Sequence, residues 1–430
     1  LANKKLLIIS PYFPPSNTAD MQRIRMSLPY FKRYGWEPEV VVVDESYSDM
    51  LKDALLSDSI PKEIKVHRVK AFSKKWTSKF GLGSIALRSL YFYEKKVNKL
   101  LKYNHFDLIY FSTTQFPVCI LGAFWKKKFG IPYVIDVQDP WHSNYYQDKP
   151  KSERPKKYWL SYRLNKYLEP IAMRTADGLI SVSEAYINTL KTRYPDLAHK
   201  PSSIITFGAH ESDFDIAEQN SFLSESVYKR DNGKVNLVYI GRGGFDMRQS
   251  VSLLLKMFKR GIDQNVDGFE KVHFHFIGTS YAPNGSGTQT LMPIAKKLGL
   301  SKYVSEYTDR IGFYESINHL QNADGLIVLG SNDPAYTASK LYPYILAKQN
   351  LLAILHPKSS AVQIIEECNA GFLITLNSDI EQAFDVFNSF LENVKLNVAP
   401  STNWKEFDKY RSDCLTKKQV DLFNSVISTN

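Results

Sequence analysis

Cysteine is nearly absent from this chain of 430 residues. Cys119, Cys368 and Cys414 stand far apart and form no Cys-x-x-Cys pair, which argues against a disulfide framework or a cysteine zinc site and fits a reducing compartment. No His-x-x-x-His spacing occurs, and neither a metal nor another bound cofactor is expected. The first residues lead directly into a strand-like run, Leu6-Leu7-Ile8-Ile9, so a signal peptide is not expected. The longest uncharged stretch, Leu108 to Trp125, contains Ser112-Thr113-Thr114-Gln115 and Pro117. It therefore reads as strand, polar loop and helix rather than a membrane span. Acidic residues are the scarcer charge, leaving a net +11. That excess suits an acidic partner but says nothing of fold. With 43% hydrophobic and 23% charged residues, the chain is neither disordered nor fibrous.

What is present is alternation. Short apolar runs fall at Lys5–Ser10, Glu39–Val43, Ile64–Val69, Phe106–Phe111, Tyr133–Val137, Gly178–Val182 and Ser203–Thr206, with amphipathic segments between them. Met21, Ile24, Leu28 and Phe31, closed by Gly35, are spaced for one helix. The pattern restarts with Val235–Ile240, Val272–Ile277, Gly325–Leu329, Leu351–Leu355 and Phe372–Leu376. Apolar strands separated by helices belong to parallel sheets covered on both faces. The expected fold is α/β, with two doubly wound, Rossmann-like domains. The expected boundaries are residues 1–212, a polar linker at 213–234 (Ser221, Ser224, Ser226, Lys229, Arg230, Asp231, Asn232, Gly233), and 235–403, with a final helical segment from Trp404.

Open α/β sheets bind ligands at the C-terminal ends of their strands. The run Val235–Ile240 leads into Gly241-Arg242-Gly243-Gly244, then Arg248 and a helical pattern. Glycines let backbone approach a phosphate, helix starts offer unpaired N–H groups, and arginines add permanent charge. The same residues also suit an ordinary tight turn. A second loop, Gly330 to Lys340, follows Gly325–Leu329. Pro343 is tolerated only near a first helical turn, so a helix should begin close to Ser339–Tyr342. Ser339 and Lys340 would then stand at its positive end.

These residues carry a resemblance. Arg310-Ile311-Gly312-Phe313-Tyr314, Ala323-Asp324-Gly325-Leu326-Ile327-Val328-Leu329, Ser339-Lys340-Leu341-Tyr342 and Ala370-Gly371-Phe372 resemble the donor half of retaining GT-B glycosyltransferases of family four. Ile9-Ser10-Pro11-Tyr12-Phe13-Pro14-Pro15, Ile135-Asp136-Val137-Gln138-Asp139-Pro140-Trp141 and Ala176-Asp177-Gly178-Leu179-Ile180-Ser181-Val182-Ser183 are similar to its acceptor half. The resemblance implies two domains facing a cleft, with the segment from Trp404 returning to the first. It implies transfer from a nucleoside diphosphate sugar, UDP or GDP, to a hydroxyl on a glycan or lipid-linked acceptor in bacterial surface polysaccharide assembly. Arg242, Gly243, Gly244, Arg248, Ser339 and Lys340 match its phosphate site, and Gly312 and Phe313 its base-contacting loop. Ser16, Asn17, Asp20, Arg23 and His142 fall on the acceptor side. Asp139 is a candidate to contact the acceptor hydroxyl or the transferred sugar, or else a loop cap beside Pro140. Arg248, Lys340 and Asp139 are the catalytic candidates.

Departures from the family are also informative. Its two glutamates would fall at Ala335 and Pro343, so both carboxylates are missing, with Asp333 the nearest that could replace one. Gln138 stands where many members have histidine, and paired glycines near Ser16 are lacking. A sugar-nucleotide epimerase or hydrolase, or a non-catalytic paralogue that binds sugar nucleotide or glycan, stays open beside the transferase.

Two basic stretches hold aromatics: Lys70, Phe72, Lys74, Lys75, Trp76, Lys79, Phe80, Arg88, Leu90, Tyr91 and Phe92, then Lys151, Arg154, Lys156, Lys157, Tyr158, Trp159, Tyr162 and Arg163. Such mixtures suit an anionic bilayer surface or, equally, a solvated face with rings turned inward. No nucleic-acid module is present. The expected location is the cytoplasm, with peripheral attachment to the inner face of the cell membrane open.

Overall fold

The computed structural model describes residues 3–144, 146–147, 150–151, 154, 157–221, 227–228, 230–231, 233–282, 285–334 and 339–429. Ala335 at the first glutamate position, Lys156 in the second basic stretch, and Ser224, Ser226, Lys229 and Asn232 in the linker lie outside them.

The chain divides into two units, Leu1–Gly208 with Ser412–Asn430, and Ala209–Arg411. The first holds seven parallel strands: β1 Lys4–Ile9, β2 Trp36–Val43, β3 Lys65–Val69, β4 Leu108–Ser112, β5 Tyr133–Val137, β6 Gly178–Ser181 and β7 Ser202–Ile204, ordered 3-2-1-4-5-6-7. The second holds β8 Val235–Ile240, β9 Val272–Ile277, β10 Val304–Tyr307, β11 Gly325–Leu329, β12 Leu351–Leu355 and β13 Phe372–Thr375, ordered 10-9-8-11-12-13. Both sheets are doubly wound. The strand order reverses between β1 and β4, and again between β8 and β11, and those switch points are where such sheets open a crevice.

Strand residues alternate between faces. Leu7, Ile9, Ile109, Phe111 and Ile135 join one core of the first unit, while Leu6, Ile8, Leu108, Tyr110 and Val134 join the other. The second core is completed by the helix Ser412–Thr429, whose Phe423 lies 5.0 Å from Tyr110, 5.6 Å from Trp36 and 6.2 Å from Phe31 between ring centroids. In the second unit Leu237, Tyr239, Phe274, Phe276, Ile327 and Leu329 pack against Val251, Leu254, Leu255 and Phe258 of the helix Arg248–Asp263.

Several expectations shift. Residues 213–234 are not all linker: Ser212–Gln219 is a helix of the second unit. The chain enters that unit at Ala209 and leaves at Arg411, and these two residues form a parallel bridge. The final segment splits, Trp404–Phe407 staying with the second unit and Ser412–Thr429 with the first. The single helix expected over Met21–Phe31 is two short pieces, Gln22–Ser27 and a 3-10 turn at Phe31–Tyr34, although Met21, Ile24, Leu28 and Phe31 are all buried. Leu108 to Trp125 runs from β4 through a polar loop into Phe116–Cys119 and the helix Ile120–Phe129. Among the described residues no helix is long and apolar enough to cross a membrane, and no group of three His, Cys, Asp or Glu is placed to hold a metal. All three cysteines are free thiols.

Candidate functional site

In the second unit, two loops meet at the switch point. After β8 comes Gly241–Gly244, then a 3-10 turn at Phe245–Met247 and the helix Arg248–Asp263. After β11 comes Gly330–Asp333, and beyond it the helix Leu341–Leu346, whose N-cap is Lys340. The helix therefore starts where Pro343 requires, with Pro343 at its third residue.

Lys340 joins the two loops. Its Nζ donates to the Tyr239 hydroxyl at 2.8 Å and lies 4.3 Å from that ring's centroid. The Tyr239 hydroxyl donates in turn to the Arg242 carbonyl at 2.8 Å. The lysine keeps part of its stem exposed, but its ammonium is enclosed. Burial, reinforced by the Arg242 charge and opposed by Asp246, lowers its pKa to about 7. Tyr344 fastens the same helix to the strand end, its hydroxyl accepting from the Ile240 N–H at 2.6 Å and lying 3.1 Å from the Ile240 carbonyl.

Arg242 forms a two-pronged ion pair with Asp246, at 2.7 and 2.5 Å. Burial works against ionised Asp246, but hydrogen bonds from Arg242 and Ser331 and the Arg242 charge outweigh it, holding the carboxyl below its ordinary range. The glycines leave room for this pairing. A Cβ on Gly244 would lie 2.5 Å from Asp246 Oδ1 and 2.6 Å from Arg242, and one on Gly243 would lie 2.6 Å from Thr290 Oγ1. The Asn332 N–H donates to the Asp246 carbonyl at 3.0 Å, and Ser250 Oγ to the Gly330 carbonyl at 2.9 Å. Arg248 is exposed, its guanidinium 4.3 Å from the Phe245 ring centroid. The Asp333 N–H donates to Ser331 Oγ at 3.0 Å, and Ser339 is exposed beside Lys340.

Arg242, Gly243, Gly244, Arg248, Asp333, Ser339 and Lys340 thus lie on these two loops. Gly312 and Phe313 are two strands away, following the edge strand β10. There Gly312 N-caps Phe313–Gln321 and donates its N–H to Glu315 Oε2 at 3.1 Å.

In the first unit the switch point is acidic and mostly sealed. Asp20 is buried and accepts from Thr113 Oγ1 at 3.0 Å and from the Thr114 N–H at 3.4 Å. Burial raises its pKa, and hydrogen bonds from Thr18, Thr113 and Thr114 moderate the rise. Arg23 is committed to structure. Its Nε meets Asp136 Oδ2 at 2.6 Å, and its other nitrogens donate to the Thr206 and Ile205 carbonyls at 3.1 and 2.7 Å. Ser112 and Gln138 also donate to Asp136, at 2.9 and 2.7 Å. Ser16 and Asn17 are buried, their N–H groups held by Phe13 and Leu51. Asp139 is more than a third exposed. Crowding by the surrounding protein, with the Asp20 charge behind it, pushes its pKa up to about 6, solvent moderating the effect. The His142 N–H donates to Glu169 Oε2 at 2.7 Å, and its ring lies tilted 4.7 Å from that of Tyr162.

Sequence reading passed over several of the residues that organise these sites. Tyr239, Asp246 and Tyr344 position the cations. Glu306 on β10 accepts from the Thr290, Leu291 and Met292 N–H groups at 2.7–3.0 Å, fixing the segment against Gly243. Buried Glu169 anchors the His142 loop through Arg193 and Tyr194. Asp246, four residues after Arg242, was the one signal available in the spacing. Asp213-Phe214-Asp215 has the spacing of a metal-binding acid pair, yet Asp213 is buried on the Tyr314 hydroxyl at 3.2 Å.

Comparison with known proteins adds to this geometry. Residues 30–208 match the model of Glycosyltransferase Family 4. Among solved structures, the chain is similar to HepE of Anabaena in complex with UDP, at 16% identity and a TM-score of 0.59 over 98% of this chain and all of that one. It is also similar to a glycosyltransferase from Rickettsia africae, at 13% identity and a TM-score of 0.61 over all of both chains. A third is a TarM variant of S. aureus in complex with fondaparinux, alpha-GlcNAc-glycerol and UDP, at 12% identity and a TM-score of 0.58 over 98% of this chain and all of that one. No curated protein matches. The family match falls on the part of the chain likened to the acceptor half, and the fold is GT-B, with two parallel-sheet α/β domains of seven and six strands.

Proposed function

We propose that the protein is a glycosyltransferase that moves a sugar from a UDP- or GDP-linked donor to a hydroxyl of a glycan or lipid-linked acceptor. We assign it to bacterial surface polysaccharide assembly, in the cytoplasm or peripherally on the inner face of the cell membrane. The observation that carries the reading is the cationic junction of the β8 and β11 loops, where Lys340, Arg242 and Arg248 collect around a glycine turn. Breaking the bond from the sugar's anomeric carbon to the diphosphate builds charge on the departing phosphate. Preorganised cations and N–H groups stabilise that charge most where water is excluded. Lys340, sharing its proton near neutrality, gains full charge as a diphosphate arrives. The family match over residues 30–208 and the likeness to a UDP complex support the same reading. Retention of configuration rests on the family resemblance.

A second reading is favoured by one observation: Pro343 stands on the helix Leu341–Leu346 where the family has a carboxylate. A paralogue without that sugar contact would bind sugar nucleotide or glycan and transfer nothing. A screen of UDP-, GDP- and dTDP-sugars with glycan acceptors separates the two. Transfer from any donor supports the transferase, donor breakdown without acceptor points to a hydrolase or epimerase, and inert binding supports the paralogue.

A further inference from the structure

The structure sorts the two basic–aromatic stretches into parts with different fates. Arg88 is buried, donating to the Phe72 and Tyr47 carbonyls at 2.8 and 2.9 Å, and Leu90 and Phe92 pack against the core. Those residues belong to the fold. Trp76, Phe80 and Trp159 remain 65, 75 and 63% exposed, and Leu82 is 44% exposed. They share one surface of the first unit. Leu160 lies against Gly81, where a Cβ would come within 2.3 Å of it, and Lys157 Nζ donates to the Ser78 carbonyl at 3.2 Å. Exposed aromatics gathered in one place mark an interaction site.

Charge selects the partner. The sequence has no Asp or Glu from Ile64 to Tyr93 or from Arg154 to Leu168. Acidic side chains from elsewhere hold Lys65, Arg68 and Lys74, through Glu39, Glu45 and Asp49. Lys75 is exposed, Lys79 lies 4.9 Å from the Trp76 ring centroid, and Arg163 lies 5.8 Å from that of Trp159. Cations beside half-sunk indole and phenyl rings match the headgroup layer of a bilayer, where rings enter the interface and ammonium groups meet lipid phosphates.

We infer that Trp76, Phe80, Leu82 and Trp159, with the cations around them, form a docking surface for an anionic lipid membrane. The inference deepens the proposed peripheral placement and rests on it. Vesicles of phosphatidylglycerol and phosphatidylcholine in equal parts, against phosphatidylcholine alone, test it by flotation of the full chain. The protein should float with the anionic vesicles at low salt and release as salt rises. Lys75→Gln and Lys79→Gln should each weaken partitioning roughly fivefold. Trp76→Ala with Phe80→Ala and Trp159→Ala should weaken it more than tenfold, with the melting temperature and UDP affinity unchanged because all three side chains are on the surface. No flotation, equal flotation with neutral vesicles, or unchanged binding by the triple variant overturns the inference. So does a concentration-dependent dimer that the triple variant abolishes, since a second copy would then be the occupant. A chain that floats with anionic vesicles but binds neither UDP nor GDP keeps this surface and removes the transferase reading.

Discussion

Asp139 and Lys340 are the residues whose titration bears most directly on function. With its pKa pushed up to about 6, Asp139 is protonated below that value and a carboxylate above it. If the carboxylate contacts the acceptor hydroxyl or the transferred sugar, turnover should rise with pH through about 6 and level off. Asp139→Asn should remove that limb and cost on the order of a hundredfold in kcat. A pH–rate profile unchanged by the substitution would leave Asp139 as a loop residue beside Pro140. Lys340 runs the other way. A diphosphate favours its charged form, so UDP should bind with proton uptake near pH 7.5, and affinity should fall as pH rises above about 7. Titration calorimetry in buffers of different ionisation enthalpy reads that uptake directly.

Among the elements, the C-terminal helix Ser412–Thr429 completes a core of the first unit. Phe423 has no exposure and sits among Phe31, Trp36 and Tyr110. Phe423→Ala should therefore destabilise by about 3–5 kcal/mol, read as a lower midpoint in urea unfolding. A change below 1 kcal/mol would mean that the helix only covers a finished core. The return of this helix was legible only through the family resemblance, because its periodicity says that it packs but not against what. β5, β11 and β12, buried along their whole length, were legible to the residue, as were β8 and β9, which are buried at all but one or two positions. β10 was missed because Val304-Ser305-Glu306-Tyr307 is a four-residue edge strand whose polar positions break the run. Helix Ser212–Gln219 was missed because Asp213, Asp215 and Glu218 look like solvent-facing linker. The glycine turn and Lys340 were visible as phosphate-binding chemistry. Tyr239 gains its role only through Lys340, 101 residues further along the chain, whereas Asp246 pairs locally with Arg242 four residues before it. Arg23 shows the converse, a cation near a ligand crevice whose donors the fold itself consumes.

At the scale of the whole molecule, one doubly wound unit is inserted into another, entering at Ala209 and leaving at Arg411. Each carries its chemistry at its own switch point: cations at β8 and β11, carboxylates at β1, β4 and β5. The central claim is that the cationic junction holds a nucleoside diphosphate. Calorimetric titration of UDP and GDP into the parent chain and into Lys340→Ala tests it most directly. A hydrogen bond to a charged group contributes roughly 1.5–3 kcal/mol, so the variant should bind about 10- to 150-fold more weakly. Binding of neither nucleotide by the parent, or equal affinity in parent and variant, would contradict it.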